Sequence, residues 1–116
     1  MEFVKPDDVE TNEVVDGVEH GYITSGENMN FEFAKLAPDS VTPEHSHPYE
    51  QIDYVLDGEL TFVVEGETVV VGPGECLRLE SDEVHSAVNR GEKPVTIVTG
   101  YSPPRETEPF GRNAEE

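Results

Sequence analysis

Apolar residues fall in short runs broken by polar ones, and no window sustains a 3,4 periodicity over three helical turns. Strands are predicted instead. Met29 to Leu36 puts Met29, Phe31 and Phe33 on one face, and Ile52 to Leu56 sets Ile52, Tyr54 and Leu56 against Asp53, Val55 and Asp57. Leu60 to Val64 and Thr68 to Val71 are joined through Glu65-Gly66, which reads as a tight hairpin with glycine supplying the positive φ. Leu77 to Leu79 and Val95 to Val98 complete the set. Short strands with Pro or Gly turns between most of them imply an all-β sandwich or barrel. At 116 residues the chain is the size of one domain.

Composition tests that reading. Hydrophobic residues make up 34%, and 26 Asp and Glu stand against 7 Lys and Arg, for a formal charge of −19. Low hydrophobicity with high net charge also describes disordered chains. The clustering of apolar runs between Ile52 and Val98 argues for a folded core, since a solvated coil has no reason to contain it. So negative a surface repels phosphate backbones and anionic lipid, which excludes nucleic acid and membranes as partners. It also suits a halophile's protein, because at about 1 M ionic strength the Debye length falls to about 3 Å and repulsion between surface carboxylates is screened. Cys76, the single cysteine, excludes an internal disulfide and is expected to be a small buried filler. Met1 to Glu10 has no signal-peptide core and no stretch approaches a membrane span, so a cytoplasmic location is expected. The expected organisation is an acidic arm or edge strand over 1–28, a barrel over 29–102 and a polar tail over 103–116 that tolerates truncation past Phe110.

Three of the four histidines carry candidate chemistry. His45 and His47 are an i, i+2 pair, so in an extended segment both imidazoles point to one face, as two ligands of one metal must. His85 follows 38 residues after His47, where a sheet folded back on itself brings it near. His20 has no such partner and reads as a surface residue. The glycines then add a pattern. His45, His47, Gln51 and Gly58 fit a motif of His-x-His, three or four residues, Glu, six residues and Gly; Gly74, His85 and Asn89 fit a second motif of Gly, five residues, Pro-x-Gly, two residues, His, three residues and Asn. Gln51 replaces the usual Glu, and Glu80 and Asp82 replace the usual Pro and Gly.

With both motifs in order, the chain resembles small single-domain cupins over about residues 29 to 100. The resemblance implies a cupin β-barrel (double-stranded β-helix, or jelly roll) of two facing antiparallel sheets, one divalent transition metal in its mouth (Ni, Zn, Fe, Mn or Cu), and a homodimer paired through edge strands. His45, His47, Gln51 and His85 would be the metal ligands, with Glu50 as an alternative to Gln51 that should point to the other side of the strand. Three imidazoles and an amide are neutral and leave a full dication, a stronger Lewis acid toward an anion.

A narrower likeness is to cupins of pectin degradation, which open the ring of unsaturated uronates and pair the metal with an aspartate, an aromatic and an arginine on and after the last strand. Tyr101 and Arg105 take the aromatic and arginine places as candidate catalytic residues, but Thr99 stands in the aspartate place. A missing acid/base group costs a proton-transfer enzyme roughly two to four orders of magnitude in rate. Arg78 is a second candidate cation, whose plainer reading is an outward pairing with surface carboxylates; Tyr49 and Tyr54 read as packing residues. Two function classes follow: a metal-dependent enzyme on a small oxygenated anion (a sugar-acid isomerase or ring-opening enzyme, or a dioxygenase), or a barrel that binds or senses a small ligand without chemistry.

Overall fold

The computed structural model describes residues 1–105. After a single 3-10 turn at Pro6–Asp8, ten strands follow: β1 (Asn12–Val15), β2 (Val18–Ser25), β3 (Asn30–Leu36), β4 (Val41–His45), β5 (Glu50–Asp57), β6 (Leu60–Val64), β7 (Glu67–Val71), β8 (Cys76–Leu79), β9 (His85–Val88) and β10 (Val95–Ser102). They form two antiparallel sheets, one of order β1-β2-β3-β10-β5-β8 and one of order β4-β9-β6-β7. This is the expected all-β barrel of two sheets. Among the described residues no helix is long and apolar enough to cross a membrane. The tail reading past Phe110 lies outside the described residues.

Side chains that point into the barrel change character along the strands, and register aligns the change into layers. Leu36 pairs with Val95, Ala34 and Val55 with Ile97, Glu32 and Asp53 with Thr99, and Asn30 and Gln51 with Tyr101. The first two layers join Val18, Leu60, Phe62 and Ala87 in the hydrophobic core; the last two place polar groups at one end, which becomes the site. Period-2 alternation then sends the other apolar residues outward. Ile52, Tyr54 and Leu56 are 49%, 39% and 50% exposed, and Met29 and Phe31 stand with them on the outer face. The expected faces are therefore real, but near the mouth the apolar set faces outward, because the interior there is polar. Cys76 shares that outer face opposite Tyr54 and is exposed, which corrects its reading as a buried filler; Leu79, three residues on, is buried in its place.

The turns account for the motif glycines. Glu65 and Gly66 both have positive φ, the requirement of a two-residue turn matched to strand twist, and Val64 pairs with Glu67 across it. Gly58 has φ +83°, and a Cβ there would lie 2.9 Å from both the Pro94 carbonyl oxygen and Val95 Cγ2. Asp82, in the usual glycine place, still adopts φ 68°, as an Asp can, and donates its backbone N–H to the His47 carbonyl at 2.7 Å. The turn's role thus survives the departure. Asn89, fully buried, donates through Nδ2 to the carbonyls of Leu36 and Lys93 at 3.0 and 2.8 Å and accepts the Gly91 N–H at 2.9 Å. It holds a loop shut.

Candidate metal centre

His45 ends β4, His85 begins β9, and the two strands pair at these residues. His47 lies in the loop that leads to β5. One ring nitrogen of each lies within 4.8 Å of those of the other two, and the ring centroids of His45 and His85 are 4.3 Å apart. Each ring is oriented in the same way: Nδ1 donates to a backbone carbonyl, of Pro43 for His45 at 2.8 Å, of Tyr49 for His47 at 3.0 Å and of Glu83 for His85 at 2.9 Å. The neutral tautomer so fixed leaves Nε2 unprotonated, the form a metal requires. Burial pushes all three imidazoles below their ordinary pKa, His45 to about 4, so they are neutral at physiological pH, the form in which an imidazole can ligate a metal.

Two features test whether a cation fits. His85 Nε2 is buried and, among the described residues, has no hydrogen-bond partner. Gln51 Oε1 lies 2.8 Å from His47 Nε2, while the Gln51 amide nitrogen donates to Asp53 Oδ2 at 2.9 Å. With Nδ1 of His47 committed as donor, the amide oxygen and Nε2 turn lone pairs toward each other, and a cation between them relieves that conflict. The donor set of three neutral imidazoles and one amide oxygen fits a divalent transition metal. Glu50 faces outward on β5 and sits 3.8 Å from Arg78, which also reaches Glu80 at 3.5 Å; neither Glu50 nor Arg78 enters the cavity.

Asp53 is the residue the motif reading missed. It follows Gln51 on the same face of β5, is fully buried, and accepts a 2.6 Å hydrogen bond from Thr99 Oγ1. A carboxyl thus stands on the neighbouring strand, directly across the register from Thr99. The signal was the i, i+2 step from Gln51. Burial raises its pKa to about 6, against hydrogen bonds from Thr99 and Gln51.

Arg105 is no solvated tail residue. Its side chain is 2% exposed and ion-paired with Glu32, its guanidinium carbon lies 4.4 Å from the centre of the Tyr101 ring, and its backbone N–H donates to Asn30 Oδ1 at 2.7 Å. His20, expected on the surface, is buried with Nε2 2.6 Å from Glu32 Oε1, because β2 lies beside β3 and turns it inward. Burial pushes the Tyr101 hydroxyl well above its ordinary range. Tyr49 stacks on His47 with centroids 4.2 Å apart, so it supports a candidate ligand, whereas Tyr54 is half-exposed. His45, His85, Gln51, Asp53, Tyr101 and Arg105 line one cavity of about 50 Å³.

The family model for the Cupin domain matches residues 32–101. The chain belongs to the cupin family. This cupin is 29% identical over 100 residues to the pectin degradation protein KdgF of Dickeya dadantii, covering 85% of the chain and 90% of the relative. It is 34% identical over 70 residues to the tetracenomycin polyketide synthase protein TcmJ of Streptomyces glaucescens, covering 60% of the chain but only 47% of that relative. The solved structure of KdgF from Halomonas sp. superposes with a TM-score of 0.85 at 22% identity, over 91% of this chain and 96% of that one. At that identity the likeness establishes the fold.

Proposed function

We propose that this cupin holds one divalent transition metal through His45, His47, His85 and Gln51 and acts on a small oxygenated monoanion, a sugar acid of the unsaturated-uronate kind, by opening or isomerising its ring. The observation that carries the reading is Asp53, a buried carboxyl that lines one cavity with His45, His85 and Gln51 and accepts hydrogen bonds from the neutral donors Thr99 and Gln51. A bound metal supplies Lewis-acid polarisation of a substrate carbonyl or hydroxyl oxygen. Asp53 takes or returns a proton at Oδ1 or Oδ2, with Thr99 and Gln51 fixing the carboxyl plane. The three histidines are committed as neutral ligands and leave the proton to Asp53. Tyr101 and Arg105 wall the cavity and exclude water from it. Pectin degradation, the role that the KdgF relative's name carries, supports the sugar-acid class.

The decisive experiment loads tag-free protein with Ni, Zn, Fe(II), Mn or Cu in turn and follows consumption of an unsaturated uronate by its absorbance. We expect turnover with at least one metal, abolished in His85→Ala and reduced roughly 10²- to 10⁴-fold in Asp53→Asn. Stabilisation by sugar acids without turnover under any metal would make the barrel a binding module instead. The same proposal places the protein in concentrated salt, on its charge of −19, and in a homodimer, on the family resemblance; light scattering across salt tests the latter, and a monomer throughout refutes it.

A further inference from the structure

The polar end of the barrel holds a second cluster that the proposed chemistry does not use. Glu32 on β3 is 1% exposed and lines the metal cavity. Its Oε2 accepts Arg105 Nε at 3.3 Å and Asn30 Nδ2 at 2.5 Å, and its Oε1 accepts Arg105 Nη2, with His20 Nε2 at 2.6 Å. Both oxygens thus occupy the Nε and Nη2 edge of the guanidinium, the edge that binds a carboxylate bidentately. The Tyr22 hydroxyl hydrogen-bonds the same guanidinium, and the Tyr101 ring covers its face. Arg105 is held in place from inside the protein before any ligand arrives.

We infer that Glu32 is a specificity-determining residue of this site: by acting as the internal counter-ion of Arg105 it withdraws that arginine as an anion clamp, so the site takes small monoanions at the metal and rejects dianions. The inference rests on the metal-centred reading above. Glu32 and Arg105 sum to zero charge, so the positive charge available to a ligand is that of a metal held by neutral side chains. A ligand carboxylate that displaced Glu32 would leave a buried carboxylate without its partner, a penalty larger than the stabilisation from the new ion pair. A second negative charge would also meet the Asp53 carboxyl on the cavity wall. The cavity of about 50 Å³ admits a ligating group and little more, so recognition of charge happens at the metal.

The test is calorimetric titration of zinc-loaded protein with galactonate and with galactarate, which share one hydroxylated chain and differ in carrying one or two carboxylates. Wild type should bind galactonate more tightly than galactarate by about tenfold or more. Glu32→Gln frees the guanidinium and should shrink or reverse that ratio. The double variant Glu32→Gln/Arg105→Gln, a neutral pair, should fold and keep the wild-type preference even where the single variant does not fold. A folded, zinc-replete Glu32→Gln that keeps the full wild-type preference, or a double variant that loses it, would overturn the inference. Failure of the metal reading shows separately, as galactonate binding that survives in zinc-free protein.

Discussion

Asn89 stands in a motif whose histidine is a candidate ligand, yet its bonds are all to loop and strand backbone, and its replacement separates the two roles. In Asn89→Ala three hydrogen bonds are lost. Leu36 is 1% exposed, so its carbonyl is left buried and without water, which costs about 2 kcal/mol; the Gly91 N–H and the Lys93 carbonyl belong to exposed residues and regain water, at about 0.5 kcal/mol each. The expected loss is about 3 kcal/mol, or on the order of 10 °C in thermal midpoint for a domain of this size. Urea unfolding followed by circular dichroism should show the midpoint falling by about 2 M, with the slope unchanged. Asn89→Asp keeps the acceptor for Gly91 but loses both donors, and should recover only a small part. Zinc stoichiometry of the folded variants should match wild type, since no histidine bonds to Asn89. A loss below about 0.5 kcal/mol, or a folded variant that no longer binds zinc, would refute this division of labour.

Gln51→Glu restores the usual motif residue but sets a second carboxylate where the amide now donates to Asp53 at 2.9 Å; chelator-treated protein should lose about 1–3 kcal/mol at pH 7.5, and zinc should recover most of it, so equal loss with and without zinc would contradict the placement of Gln51 as ligand. The Glu32 carboxyl, which burial alone would raise, is held below its ordinary pKa by His20 and Arg105. Its contribution is therefore present in full above the unfolded value of about 4.3 and is lost as pH falls through the lower folded value, so between about pH 5 and pH 3 wild type should lose more stability than Glu32→Gln, and parallel urea midpoints across that range would count against the pair. The thermal midpoint should climb steeply between dilute and molar KCl, as expected for −19 on one small domain; indifference to salt would refute the salt-adapted reading.

The sequence alone carries the strand-rich pattern, the Glu65-Gly66 hairpin and the shared face of His45 and His47, because alternation, turn chemistry and i, i+2 spacing are local rules, while His85 joins them only through the order of the two motifs. It could not say which face of a strand turns inward. At β3 and β5 the polar face does, since the barrel mouth is built from Asn30, Glu32, Gln51 and Asp53, and hydrophobicity alone points the other way. Asp53 was within reach through its spacing from Gln51. The pairing of Asp53 with Thr99, of Glu32 with Arg105, and the burial of His20 were not, because they join residues 12 to 73 positions apart whose contact is created only by strand register. Tertiary structure decided these because a buried charge is tolerated only where the fold brings it a partner.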